Sequence, residues 1–100
     1  MIFDSPTVQT YILSGASVLA TIRRKGYYKV GKRVIVKIGD KKFYGKVIAI
    51  APLSSFSLGE YADYSGFQSV EEWMYEAEKL HKDRIDPNKF EIVIIEVVHK

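Results

Sequence analysis

Between Arg23 and Lys46 the chain gathers ten basic residues, Arg23, Arg24, Lys25, Lys29, Lys32, Arg33, Lys37, Lys41, Lys42 and Lys46, against one acidic residue, Asp40. The rest of the chain holds five basic and eleven acidic residues, so the formal net charge of +3 conceals a divided field. Such a field draws polyanions to one side of a molecule and repels them from the other. The same lysines could equally be a solubilising exterior, as in heat-adapted proteins. Within this stretch Arg23-Arg24-Lys25-Gly26-Tyr27-Tyr28-Lys29 combines cations with aromatic rings beside a glycine. Binders of single-stranded RNA use that pairing, cations for the backbone and rings for unstacked bases. In an extended loop the adjacent Tyr27 and Tyr28 would point opposite ways, so one at most would stack on a base. Either could instead cover a core edge with its hydroxyl in water.

Arg23 carries a planar fork suited to a phosphate or a base edge, or else to an ion pair with a helix carboxylate. Two residues earlier, Thr21 offers a hydroxyl, although threonine in a strand needs no ligand to explain it. Trp73 and Met74 fit the apolar stripe of a helix and read as core. Glu71, Glu72, Glu76 and Glu78 read as a solvated acidic face. Glu76 and Glu78 sit about 200° apart on a helix, too far around for a paired-carboxylate site. His81 and His99 lack the spacing of a metal pair, and no Walker loop, dinucleotide fingerprint or nucleophile elbow occurs. The chain contains no cysteine, which removes disulfides and thiolate chemistry. Neither a metal nor a cofactor is expected.

The elements that must position these residues are legible in part. One hundred residues suffice for one domain, taken as residues 1–100. The longest apolar run, Val47 to Ala51, is far too short to span a membrane, and Met1 to Pro6 lacks the pattern of a signal peptide. A cytoplasmic domain is the expectation. Ser5-Pro6 opens a helix, with serine as cap and proline in the first turn, and Gly15 stops it. Ser17 to Arg24 reads as a strand. Arg33 to Ile38 and Lys42 to Ala51 alternate as a hairpin about Gly39-Asp40. Leu53 to Gly66 reads as a loop with at most a helical turn near Glu60. Ser69-Val70-Glu71-Glu72 is a capping box, and Val70, Trp73, Met74, Ala77 and Leu80 continue as an amphipathic helix to Lys82. Phe90 to Val98 is apolar throughout, a strand buried on both faces or closing a barrel. The sum is an α+β fold, a small, mostly antiparallel β-barrel with two helices packed outside.

Several stretches share the order and spacing of a known family. Gly15 to Arg23, ending Thr21-Ile22-Arg23, resembles the start of ASCH domains, the RNA-linked branch of the PUA-like β-barrels. Val30-Gly31-Lys32-Arg33-Val34 and Gly45-Lys46-Val47 are similar to the family's hairpin. Tyr61-Ala62-Asp63-Tyr64-Ser65-Gly66-Phe67 with Glu71-Glu72-Trp73 resembles its Gly-Phe and Glu-Glu-Trp run. The resemblance implies a PUA-like barrel, with Arg23 at the mouth of a cleft beside it. Some relatives are amidohydrolases of acetylated cytidine. Their catalytic threonine matches Thr21, but their lysine falls on Val18, or on Ser17 with a bulge, and their glutamate on Ser65. Neither replacement can do the work of a proton carrier.

The reading is therefore an RNA-binding domain, with no catalytic residue assigned. Thr21, Arg23, Arg24, Lys25, Tyr27, Tyr28, Lys29, Lys32, Arg33, Lys42 and Lys46 form its interface, the cationic segment holding backbone and the Thr21/Arg23 cleft a base. One alternative is a hydrolase of RNA or a modified nucleoside using Thr21, Lys25 or Lys29 with a base from Glu60 or Asp63. Another is an interaction module whose acidic helix docks a basic partner.

Overall fold

The computed structural model describes residues 1–82 and 84–99. Helix α1 (Pro6–Leu13) leads into strand β1 (Val18–Arg24), the hairpin β2 (Arg33–Ile38) and β3 (Lys41–Pro52), helix α2 (Ser55–Tyr61), a 3-10 turn (Ala62–Tyr64), helix α3 (Val70–His81) and strand β4 (Phe90–Val98). The four strands form one antiparallel sheet in the order β1-β4-β3-β2. The last strand in sequence thus lies inside the sheet. Ile92, Val93, Ile94 and Ile95 are all buried although they point alternately to its two faces, so both faces of the sheet are covered along this strand.

The sheet curls into a half-barrel. A register shift between Val47 and Ala49 puts an extra residue into β3 opposite β4, which bends the strand and raises its twist. Gly45 lets the same two strands approach closely, since a Cβ there would lie 2.9 Å from Ile95 Cγ2 and 3.0 Å from the Glu96 carbonyl. Curling brings the two edges towards one segment, residues 1–3. The Lys37 N–H donates to the Met1 carbonyl at 2.8 Å and the Phe3 N–H to the Lys37 carbonyl at 3.1 Å, so these residues run parallel to β2. From β1, Arg23 donates to the Ile2 carbonyl at 3.3 Å and lies 4.8 Å over the Phe3 ring. β1 and β2 do not pair, so the sheet is a half-barrel and not the expected barrel, with residues 1–3 bonded to β2 through the backbone and reached from β1 by the Arg23 side chain. Covering both edges also protects them from pairing with another chain.

Among the described residues there are three α-helices where two were expected. Leu53 to Gly66 contains α2 and the 3-10 turn, and the Ser54 hydroxyl caps α2 by accepting from the Ser57 N–H at 3.2 Å. Seven residues rich in serine and glycine are too few to display helical periodicity, so the cap was the available signal. In α3 the Ser69 hydroxyl accepts from the Glu72 N–H at 3.1 Å as the capping box requires. Trp73 and Ala77 are buried, but Leu80 is half in solvent and does not belong to the core. Ser5 also corrects its reading: its hydroxyl makes no cap bond to α1, and its side chain is buried beside a cleft.

Candidate functional site

The cleft, of about 200 Å³, opens where β1, the residues before α1 and the last turns of α3 meet. Thr21 and Arg23 contribute from β1; being two apart on a strand, they share a face. Ile2 to Ser5 form one wall, and Trp73, Glu76, Ala77, Leu80 and His81 another. Ser65 and Phe67 line the cleft between helices.

Arg23 dominates its chemistry. Its Nε donates to Thr21 Oγ1 at 3.3 Å and one terminal nitrogen to the Ile2 carbonyl at 3.3 Å, both at the long end of the range. A guanidinium has five N–H donors, so most of the fork remains unspent. Among the described residues no carboxylate forms an ion pair with it, which removes the helix-carboxylate reading. Burial pushes the guanidinium pKa below its ordinary value, while Tyr28 and Asp4 push it back up. It remains charged throughout the physiological range.

The facing groups were missed from sequence. Asp4 and Glu76 bring carboxylates to the cleft, and Glu76 is half-buried instead of belonging to a wholly solvated face. Its signal was present, since it stands three residues after Trp73 and four before Leu80, on the border of the apolar stripe. Asp4 precedes α1 and had no comparable signal. His81 places Nε2 3.3 Å from the Ile22 carbonyl and its ring packs edge-to-face with Phe90, with 4.9 Å between ring centres. An arginine fork, a threonine hydroxyl and two carboxylates offer both donors and acceptors. They suit a compact polar group carrying both kinds of partner better than a phosphate, which the carboxylates oppose.

The remaining interface residues divide. Tyr28 is half-buried and near enough to Arg23 to influence its charge. Tyr27 packs edge-to-face on Tyr28, 4.7 Å between ring centres, and Lys32 Nζ sits 3.9 Å over the Tyr27 ring. The two tyrosines therefore do not point apart, because the chain turns at Gly26 (φ +93°), which frees it from strand alternation. Arg33 stands opposite Lys46 in the hairpin and Lys37 opposite Lys42, with all four side chains exposed. Arg24 does not line the cleft: alternation turns it away from Arg23 to the other face of the sheet, where it is exposed with its guanidinium 4.8 Å over Phe90. Lys25, exposed beside it, and Lys29, exposed in the loop, do not line the cleft.

The hydrolase constellation is not assembled. Of Thr21, Lys25, Lys29, Glu60 and Asp63, Thr21 alone lines the cleft. Ser65 is buried there, but its hydroxyl is already committed, donating to the Ala62 carbonyl at 2.6 Å and accepting from the Phe67 N–H at 3.1 Å. Val18 presents its carbonyl to the Tyr11 hydroxyl at 3.0 Å and brings no proton carrier.

No family model matches the chain, and no solved structure matches it. Its sequence is similar to uncharacterized protein 105 of Sulfolobus islandicus rod-shaped virus 1, 54% identical over 95 residues that cover 95% of this chain and 90% of the viral protein. The chain belongs to the family of that viral protein.

Proposed function

We propose that this protein binds single-stranded RNA, with one base in the cleft between β1 and α3 and the adjoining backbone on the cationic loop and hairpin. The observation that carries the reading is the unspent fork of Arg23 in the cleft, with Tyr28 close to it and Tyr27 and Lys32 packed beyond Tyr28 in the neighbouring loop. A base satisfies both the arginine and the carboxylates of Asp4 and Glu76, whereas phosphates belong on the lysines outside. The choice of RNA over DNA, and of a PUA-like barrel as the finer description of the fold, rests on the resemblance to ASCH domains. Lys32 already occupies one face of Tyr27, so a stacked base takes the other face or displaces the ammonium.

Filter binding of a short single-stranded RNA at a series of salt concentrations tests this. Affinity is expected to fall with a log–log slope of about one per phosphate neutralised. Absence of any affinity for RNA at low salt overturns the reading.

A further inference from the structure

The solvent face of the hairpin carries more than charge. Along β3, Lys42, Tyr44 and Lys46 share the exposed face, and the register sets each against a neighbour. Lys42 faces Lys37 and Lys46 faces Arg33, while Tyr44, between them, faces Ile35 on β2 and Val98 on β4. Tyr44 is 67% exposed, with Ile35 and Val98 at 42% and 43%. The result is an apolar row centred on one aromatic ring, flanked by two rows of cations about 14 Å apart along the strand.

This arrangement costs the isolated fold something. Like charges directly opposite in a sheet destabilise it, and here two such pairs bracket an apolar row left in water. Glu96 stands opposite Lys46 but forms no ion pair with it, and Lys37 and Lys42 make none among the described residues. Both costs are relieved by one kind of occupant: a polyanion with flat apolar groups between its charges.

We infer that the exposed face of β2, β3 and the end of β4 is a second contact surface for single-stranded RNA, with Tyr44 stacking on a base and Arg33, Lys37, Lys42 and Lys46 taking the phosphates on either side. The inference rests on the RNA-binding reading and extends it: the strand leaving the cleft crosses the 27–32 loop and continues over the sheet. The loop is tied to β3 beside Lys46, the Gly31 N–H donating to the Val47 carbonyl at 2.8 Å and the Val47 N–H to the Lys32 carbonyl at 2.9 Å, so a strand passing over the loop meets the hairpin at its Arg33 and Lys46 end. Charge decides the occupant, since four cations around the ring exclude a basic partner and suit the regular negative charge of a nucleic acid.

The test compares fluorescence anisotropy of labelled single-stranded RNAs of four and twelve nucleotides. Tyr44→Ala is expected to weaken the twelve-mer about ten-fold with an unchanged salt slope, and to leave the four-mer within two-fold. Tyr44→Phe, which keeps the ring, is expected to bind like the parent. Should Tyr44→Ala disturb folding, the double variant Lys42→Gln, Lys46→Gln relieves repulsion and is expected to lower the twelve-mer's salt slope by about two. Parental twelve-mer affinity in Tyr44→Ala, while Arg23→Lys still weakens binding, overturns the second surface and leaves the cleft reading standing. Failure of the parent to bind either RNA overturns both. Tyr44-dependent binding to vesicles of anionic lipid, with no dependence on Tyr44 for RNA, also overturns the second surface.

Discussion

Replacing Arg23 by lysine separates shape from charge at the cleft. Lysine keeps the positive charge but offers a compact ammonium in place of a planar fork, so contacts that need two parallel N–H groups are lost. Side-chain pairing with a base edge is worth about 1–3 kcal/mol, which corresponds to roughly 5- to 150-fold in affinity. The folding cost is of similar size but small against the stability of a domain. Arg23 makes two hydrogen bonds, each 3.3 Å long, to Thr21 and to the Ile2 carbonyl. At about 0.5–1.5 kcal/mol each their loss leaves most of a domain's 5–15 kcal/mol intact. The variant therefore stays folded at 25 °C and melts lower. Fluorescence anisotropy with a labelled single-stranded RNA at several salt concentrations is expected to show weaker binding at every concentration and an unchanged slope. Affinity within two-fold of the parent, with folding verified by circular dichroism, would refute the assignment of Arg23 to the base.

Three further predictions concern the scaffold. Gly45→Ala places a methyl against Ile95 and the Glu96 carbonyl, and is expected to destabilise by about 1–3 kcal/mol in urea denaturation. Lys82 ends α3 in the left-handed region at φ 54°, so Lys82→Gly is expected to raise stability by about 0.5–1 kcal/mol, read as a higher melting temperature. Burial holds the Tyr11 phenol above its ordinary pKa of 10.0, so its contribution is complete below pH 10 and is lost as pH rises through the higher folded value. Tyr11→Phe, which also forfeits the bond to the Val18 carbonyl, is expected to lower stability at pH 7 and to flatten the alkaline decline in pH-dependent denaturation.

Sequence pattern carried the strands and the long helix because burial there follows a simple period. The hairpin alternates exposed and buried residues, and α3 begins at a serine that does cap it. It could not carry β4 to its place in the sheet. An unbroken apolar run states that both faces are covered, not which strands cover its edges. The closure of the half-barrel was equally hidden, since it depends on residues 1–3 meeting β2 and Arg23, contacts far apart in the chain. The same limit governs the site. Thr21 and Arg23 were legible as neighbours on one face of a strand, and Lys42 and Lys46 as a row on the hairpin. Asp4 and Glu76 became cleft residues only through tertiary packing, which brings a chain terminus and a helix flank to one strand. Strand alternation turns Arg24 away from the cleft that Arg23 lines, to lie over Phe90.

The central claim, a base in the cleft with backbone along the loop and hairpin, is tested most directly by amide NMR of the full chain titrated with a twelve-nucleotide single-stranded RNA. The account predicts salt-sensitive shifts at Thr21, Arg23 and Tyr28 together with Lys32, Arg33, Tyr44 and Lys46, and small changes at Glu71, Glu72 and Glu78 on the acidic helix. Shifts confined to α3, or none at low salt, would contradict it.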